Sequence, residues 1–232
     1  MTDDPVAGPS PEAENPPSAD WPVDLAGRGV TESVVTTRGP NDRWNVAALG
    51  LSPPDAAPEA APGTVTARTW GRTRTRRNFE ARGGGYVQFW TNPVDFVEAA
   101  CSVREEDDPV LERAAAWARV RVERLDSGTD DGTEWVDWAL RPVESVVRSR
   151  EVPTHNRARA AVVEATVAAS RLGVPGFDDA ALRERIAHYA DVVDSCAGDR
   201  ERAAWDRFEE LVDWEADRAG GSAHAGDGRA DE

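Results

Sequence analysis

The period of the hydrophobic pattern switches near residue 150, and that switch constrains the fold more than any other feature of the 232-residue chain. Before it, apolar residues recur at every second position in short runs, the mark of strands with one buried face. "AWARVRVERL" (116–125) alternates Ala118, Val120 and Val122 with Arg119, Arg121 and Glu123. "EWVDWALRPVESVVRS" (134–149) places Val136, Trp138 and Leu140 on one face, and the intervening "DSGTDDG" predicts a turn. "VTESVVTT" (30–37) and "RWNVAALG" (43–50) flank the turn signal "RGPND" and predict a hairpin. "TVTARTW" (64–70) and "YVQFWT" (86–91) add two strands. Six strands joined by short connections imply a closed or nearly closed antiparallel barrel.

Two short helices interrupt the strands. "RTRTRRNFEARGGG" is closed by Gly83 to Gly85, and "NPVDFVEAAC" begins with Asn92 as cap and Pro93 as first residue. After residue 150 the period becomes helical. "THNRARAAVVEATVAASRLG" spaces Ala158, Ala161, Val162, Ala165, Ala168, Ala169 and Leu172 along one face, with Thr154 as cap and Gly173 as stop. A second helix repeats Leu182, Ile186, Tyr189, Val193 and Cys196, and a third aligns Trp205, Phe208 and Val212. The expected fold class is therefore α+β: an antiparallel barrel over 21–150 and a helical subdomain over 151–218. The Pro- and acid-rich residues 1–20 and the small, polar residues 219–232 are expected to be disordered tails. The chain shows no internal repeat.

Charge narrows the partners. Asp and Glu number 43 against 27 basic residues, the net charge is -16, and every basic residue is arginine. Dispersed acidity of this kind suits high salt, where carboxylate repulsion is screened, and it resembles the style of haloarchaeal proteins. It opposes general nucleic-acid binding. No apolar run reaches the ~20 residues of a membrane span, and the N-terminus has neither the basic start nor the apolar stretch of a signal peptide. Together these predict a cytoplasmic protein with no membrane partner. Cys101 and Cys196 are expected as buried free thiols. His155, His188 and His224 lack ligand spacing, so no metal is expected. No catalytic triad is recognisable.

Against that acidity, "RTRTRRNFEARGGGYVQFW" (72–90) concentrates Arg72, Arg74, Arg76, Arg77 and Arg82 within eleven residues. A strand running into a helix start exposes backbone N–H groups that favour an anion. Arg72 can pair a phosphate through its planar fork while Thr73 and Thr75 donate hydroxyls. A solvated helix face paired with neighbouring carboxylates explains the same residues equally well. "NVAALG" likewise offers either exposed backbone to a flat ligand or alanines for tight packing.

The order "ESVVTTRGPNDRWNVAALG", "TARTWGRTRTRRNF", "GGYVQFWTNPVDFVEAA" and "NRARAAVVEATVAASRLG" is similar to an archaeal family catalogued as a domain of unknown function (number 447). The resemblance spans residues 22 to 215, and the strand-to-helix piece and the "NRA" helix carry most of it. It implies an FMN-binding antiparallel split β-barrel with a C-terminal helical subdomain. It further implies phosphate contacts from Arg72, Thr73 and Thr75, with Arg74 and Arg76 as alternatives to Arg72. Asn78 falls where the wider flavin reductase group often has asparagine, and Asn45 with the backbone of Val46 and Ala47 would border the ring. Asn156 and Arg157 would reach the flavin edge or a subunit contact, or serve as a helix cap. Split barrels commonly complete the pocket with a second subunit, so a homodimer is expected. The implied activity is that of a flavin-dependent oxidoreductase of unknown substrate and unknown catalytic residues. A non-catalytic flavin-binding or sensing protein is the alternative, and an RNA-binding protein the weaker third.

Overall fold

The computed structural model describes residues 20–26, 28–53, 64–151 and 154–215. Most of both expected tails, and residues 54–63 of the Pro/Ala loop, lie outside these. The first hairpin joins β1 (Thr31–Arg38) to β2 (Trp44–Ser52). It turns where the N–H of Gly39 donates to the Arg43 carbonyl at 2.8 Å, with Asp42 at a φ of 62°. There follow β3 (Val65–Trp70), α1 (Arg74–Arg82), β4 (Gly84–Trp90), α2 (Pro93–Cys101) and β5 (Arg104–Glu106). Then come β6 (Ala114–Asp130), β7 (Thr133–Val147), α3 (Arg157–Ala169), α4 (Asp179–Cys196) and α5 (Asp199–Leu211).

Every strand pairing is antiparallel, in the order β1-β4-β6-β7-β3-β2-β5, and the β1–β2 pairing closes six of the strands into a barrel. The closure is uneven. Strand β2 pairs with β1 from Trp44 to Leu51, but with β3 only at Leu51↔Ala67 and Ser52↔Thr66. At its other end the same edge of β2 pairs with β5 through Trp44, Asn45 and Val46. Among the described residues, no strand therefore pairs with 47–50 on that edge. In an antiparallel strand every second residue turns both backbone groups to one edge, so donors and acceptors stand open there.

Val35, Leu51, Val65, Phe79, Val87, Val136 and Leu140 fill the barrel interior. Fully burying one such side chain contributes about 1.5–3 kcal/mol. Gly84 and Gly85 belong to β4 rather than to a terminating loop. A Cβ at Gly85 would stand 2.6 Å from the Thr36 carbonyl oxygen, so only glycine lets β1 and β4 approach at that point. Gly83 alone caps α1, at a φ of 67°.

The C-terminal helices form their own core around Val162, Ile186, Val193, Trp205 and Phe208, and α2 contributes Val97 to it. A third cluster, with Val34, Val46, Phe96 and Ala99, joins the outer face of β1 and β2 to α2. Helix α2 thus fixes the helical part against the barrel.

Several expectations need correction. "DSGTDDG" is not a turn throughout: β6 runs on to Asp130, and the turn is Asp131–Gly132, at φ of 44° and 81°. An Asp-Gly pair with two positive φ values matches the twist of a two-residue hairpin. Gly128 instead lies in the strand under the indole of Trp135. Strand β5 is an additional element, with Arg104 tied to Glu98 and Glu106. Thr154 does not cap α3. The cap is Asn156, whose Oδ1 accepts from the N–H of Arg159 at 3.0 Å. Cys196 is exposed and Cys101 only half-buried.

Candidate functional site

The open edge of β2 forms one wall of a groove of about 880 Å³, within the roughly 300–1,000 Å³ of small-molecule sites. Ala47, Ala48, Leu49 and Gly50 line that wall. The end of β3 and the start of α1 face it with Thr69, Trp70, Gly71, Thr73 and Thr75. Helices α2 and α3 supply Phe96, Ala99 and Val167, the β6–β7 turn supplies Asp130 and Asp131, and the loop after α3 supplies Arg171 and Phe177. Three of the four exposed large hydrophobics among the described residues, Val30, Trp70 and Phe177, line this groove.

The strand-to-helix corner is built by capping. Thr73 is the N-cap of α1 and its Oγ1 accepts from the N–H of Arg76 at 3.2 Å, which leaves its hydroxyl proton to donate. Thr75, buried in the first turn, makes no side-chain hydrogen bond among the described residues. The arginines part company here. Arg74 is held by Glu105 at 2.7 Å. Arg76 bonds Glu80 at 3.2 Å, Glu134 at 3.0 Å and the Gly71 carbonyl at 3.2 Å. Arg72 is exposed, stands between groove residues Gly71 and Thr73, and has no ion pair among the described residues. Arg77 and Arg82 are also exposed, farther along the helix.

Of the residues singled out in the sequence, Ala47, Thr73 and Thr75 line the groove and Arg72 adjoins it. Asn45 and Val46 are buried and do not line it. The Val46 side chain packs with Val34 and Phe96. The Asn78 amide donates to the Thr37 carbonyl at 3.3 Å and to Thr37 Oγ1 at 2.9 Å, so it seats α1 on β1.

Two groove residues escaped sequence reasoning. Glu32 points over Gly50, and burial together with the neighbouring Glu164 raises its carboxyl above the usual 4.5. Arg68 grips Asp137 with two bonds of 2.7 Å and lies 4.0 Å over the Trp135 ring. Neither carries a motif: one is a charge in a β-branched run, the other a charge in an alternating strand. No cluster able to hold a metal ion occurs among the described residues, and no described helix is long and apolar enough to cross a membrane.

The sequence model described as protein of unknown function (DUF447), N-terminal domain, matches residues 31–149, and its C-terminal companion matches 156–210. No curated protein matches the sequence. Among solved structures, an FMN-bound DUF447 protein from Methanosarcina mazei superposes with a TM-score of 0.66 at 22% identity, covering 82% of this chain and 98% of that one. Nitrilotriacetate monooxygenase component B from Bacillus cereus gives 0.40 at 14% identity, over 56% of this chain and 75% of that one. An FMN-binding protein from Thermus thermophilus with bound p-hydroxybenzaldehyde gives 0.38 at 18%, over 67% and 88%.

Proposed function

The chain belongs to the family described as protein of unknown function (DUF447), and on that premise we propose that it binds FMN and acts as a flavin-dependent oxidoreductase. One observation carries the reading. The unpaired edge of β2 and the start of α1 face the same groove, with an unpaired arginine beside them. The residues present fit the cofactor. Arg72 and the hydroxyls of Thr73 and Thr75 hold the phosphate at the helix start, where free N–H groups add to the attraction. The backbone of residues 47–50 offers bonding groups to the ring edge, and the small side chains of Ala47, Ala48 and Gly50 let a flat ring lie close to the strand.

Bound flavin supplies two-electron redox chemistry. The chain's own share is to orient the cofactor and to exclude water with Phe96, Ala99 and Val167. The apolar rim of Val30, Trp70 and Phe177 suits a second subunit closing the groove, and we place the protein as a homodimer in a salt-rich cytoplasm. RNA binding through the arginine helix fares worse, because carboxylates already neutralise Arg74 and Arg76.

The test is a comparison of FMN and riboflavin in high salt, followed by flavin fluorescence. FMN should bind at least ~10-fold more tightly, because riboflavin lacks the group that a charge-assisted bond would hold. Equal affinities would overturn the phosphate site. Bound FMN that no nicotinamide cofactor reduces would favour the storage or sensing role.

A further inference from the structure

A second pocket, about 350 Å³, opens beside the first turn of α3. Trp90, His155, Asn156, Arg157, Arg159 and Val163 account for most of its lining. Among the described residues no carboxylate lines it, although carboxylates outnumber basic residues 43 to 27 along the chain. Arg159 is the telling residue. Its Cζ lies 4.4 Å over the Trp90 ring and its Nη2 donates to the Trp90 carbonyl at 3.0 Å. It forms no ion pair among the described residues. Glu201 and Glu151 act on it from beyond ion-pair distance, Arg200 opposes them, and burial is the larger effect, holding its pKa below the ordinary range.

Elsewhere, the half-buried Arg76 and Arg104 each pair with carboxylates of this chain. Half-burying a guanidinium without a counter-charge costs free energy that an incoming anion would recover. Arg157, exposed on the same pocket and also without an ion pair, doubles the positive charge. The rest of the lining is different in kind. Ala160, Val163 and the Trp90 ring are apolar, so the pocket has a charged end and a greasy wall.

We propose that this pocket binds a small organic carboxylate, its charge on Arg157 and Arg159 and its apolar body against Val163 and Trp90. Trp90 also stacks on Phe96, at 5.0 Å and 28°, and Phe96 lines the main groove, so an occupant here would abut the wall of the groove. The assignment does not depend on flavin binding.

Calorimetric titration with benzoate, at fixed chloride concentration and without flavin, tests it. Benzoate should bind the parent protein, and Arg159→Gln and Arg157→Gln should each weaken it by about 10-fold, the loss of one charge-assisted bond. Arg72→Ala should leave it unchanged. Because Arg159 also braces Trp90, the exposed Arg157→Gln carries the test should Arg159→Gln fail to fold. Absence of binding, affinity unaltered in Arg157→Gln, or equal loss in Arg72→Ala would overturn the site. Inorganic phosphate binding as tightly as benzoate would overturn its apolar half. A separate FMN titration of the parent protein keeps this outcome distinct from that of the flavin reading, because benzoate should bind whether or not FMN does.

Discussion

Replacing Arg72 by alanine separates a built phosphate site from a diffuse cloud of positive charge. The guanidinium is exposed and unpaired, so its removal breaks no bond within the described chain and should leave the melting temperature unchanged. A hydrogen bond to a charged group is worth about 1.5–3 kcal/mol. At about 1.4 kcal/mol per decade, FMN should bind roughly 10- to 150-fold more weakly. Riboflavin, without the phosphate, should bind the variant as it binds the parent. Arg76→Ala should behave differently, because that side chain holds Glu80, Glu134 and the Gly71 carbonyl and so braces the strand-to-helix corner. Its loss should lower stability as well as affinity. Arg82, at the far end of α1 and exposed, should tolerate alanine in both respects. Flavin fluorescence titrations on the three variants, with thermal unfolding alongside, resolve these outcomes. An Arg82→Ala loss equal to that of Arg72→Ala would refute the reasoning, since the helix would then act only through its summed charge.

Gly85→Ala should destabilise the barrel by about 1–3 kcal/mol in denaturant titration, because its Cβ would stand 2.6 Å from the Thr36 carbonyl oxygen; an unchanged midpoint would mean that β1 and β4 part freely. Glu32 has a raised pKa when folded, so the native state binds its proton more tightly, and stability is lost as pH rises above the ordinary value of 4.5. Glu32→Gln should therefore raise the melting temperature at pH 7 but not at pH 4, and equal shifts at both would contradict the linkage. Exposed Cys196 should react quickly with a thiol reagent while Cys101, its thiol pushed up to about 11 by burial, stays slow; two equal fast phases would contradict that assignment. Lowering the salt should lower the melting temperature as carboxylate repulsion loses its screening, and a salt-indifferent melt would show that the acidity is not an adaptation to brine.

Much of this architecture is local and was legible in the residues. Alternation over 116–122 and 136–140, the Asn92-Pro93 helix start and the apolar faces of α3 and α4 follow from side-chain period and capping, which neighbours in sequence set among themselves. Gly128 competes with Asp131–Gly132 as a turn signal for the β6–β7 connection, and the contest is decided across the strands, by the Trp135 indole covering Gly128. The site itself depends on contacts between residues far apart in the chain. Five arginines of one segment look alike in sequence, yet Glu105 and Glu134, brought in by β5 and β7, occupy Arg74 and Arg76 and leave Arg72 unpaired. Asn78 looks like a ligand contact until Thr37 of β1 takes its amide. Likewise "NVAALG" reveals a strand, but only closure of the barrel through two residue pairs to β3 and three to β5 leaves residues 47–50 with an open edge. Period and capping chose the elements because they act within a few residues; pairing between distant strands chose which side chains and which backbone groups were left free to bind.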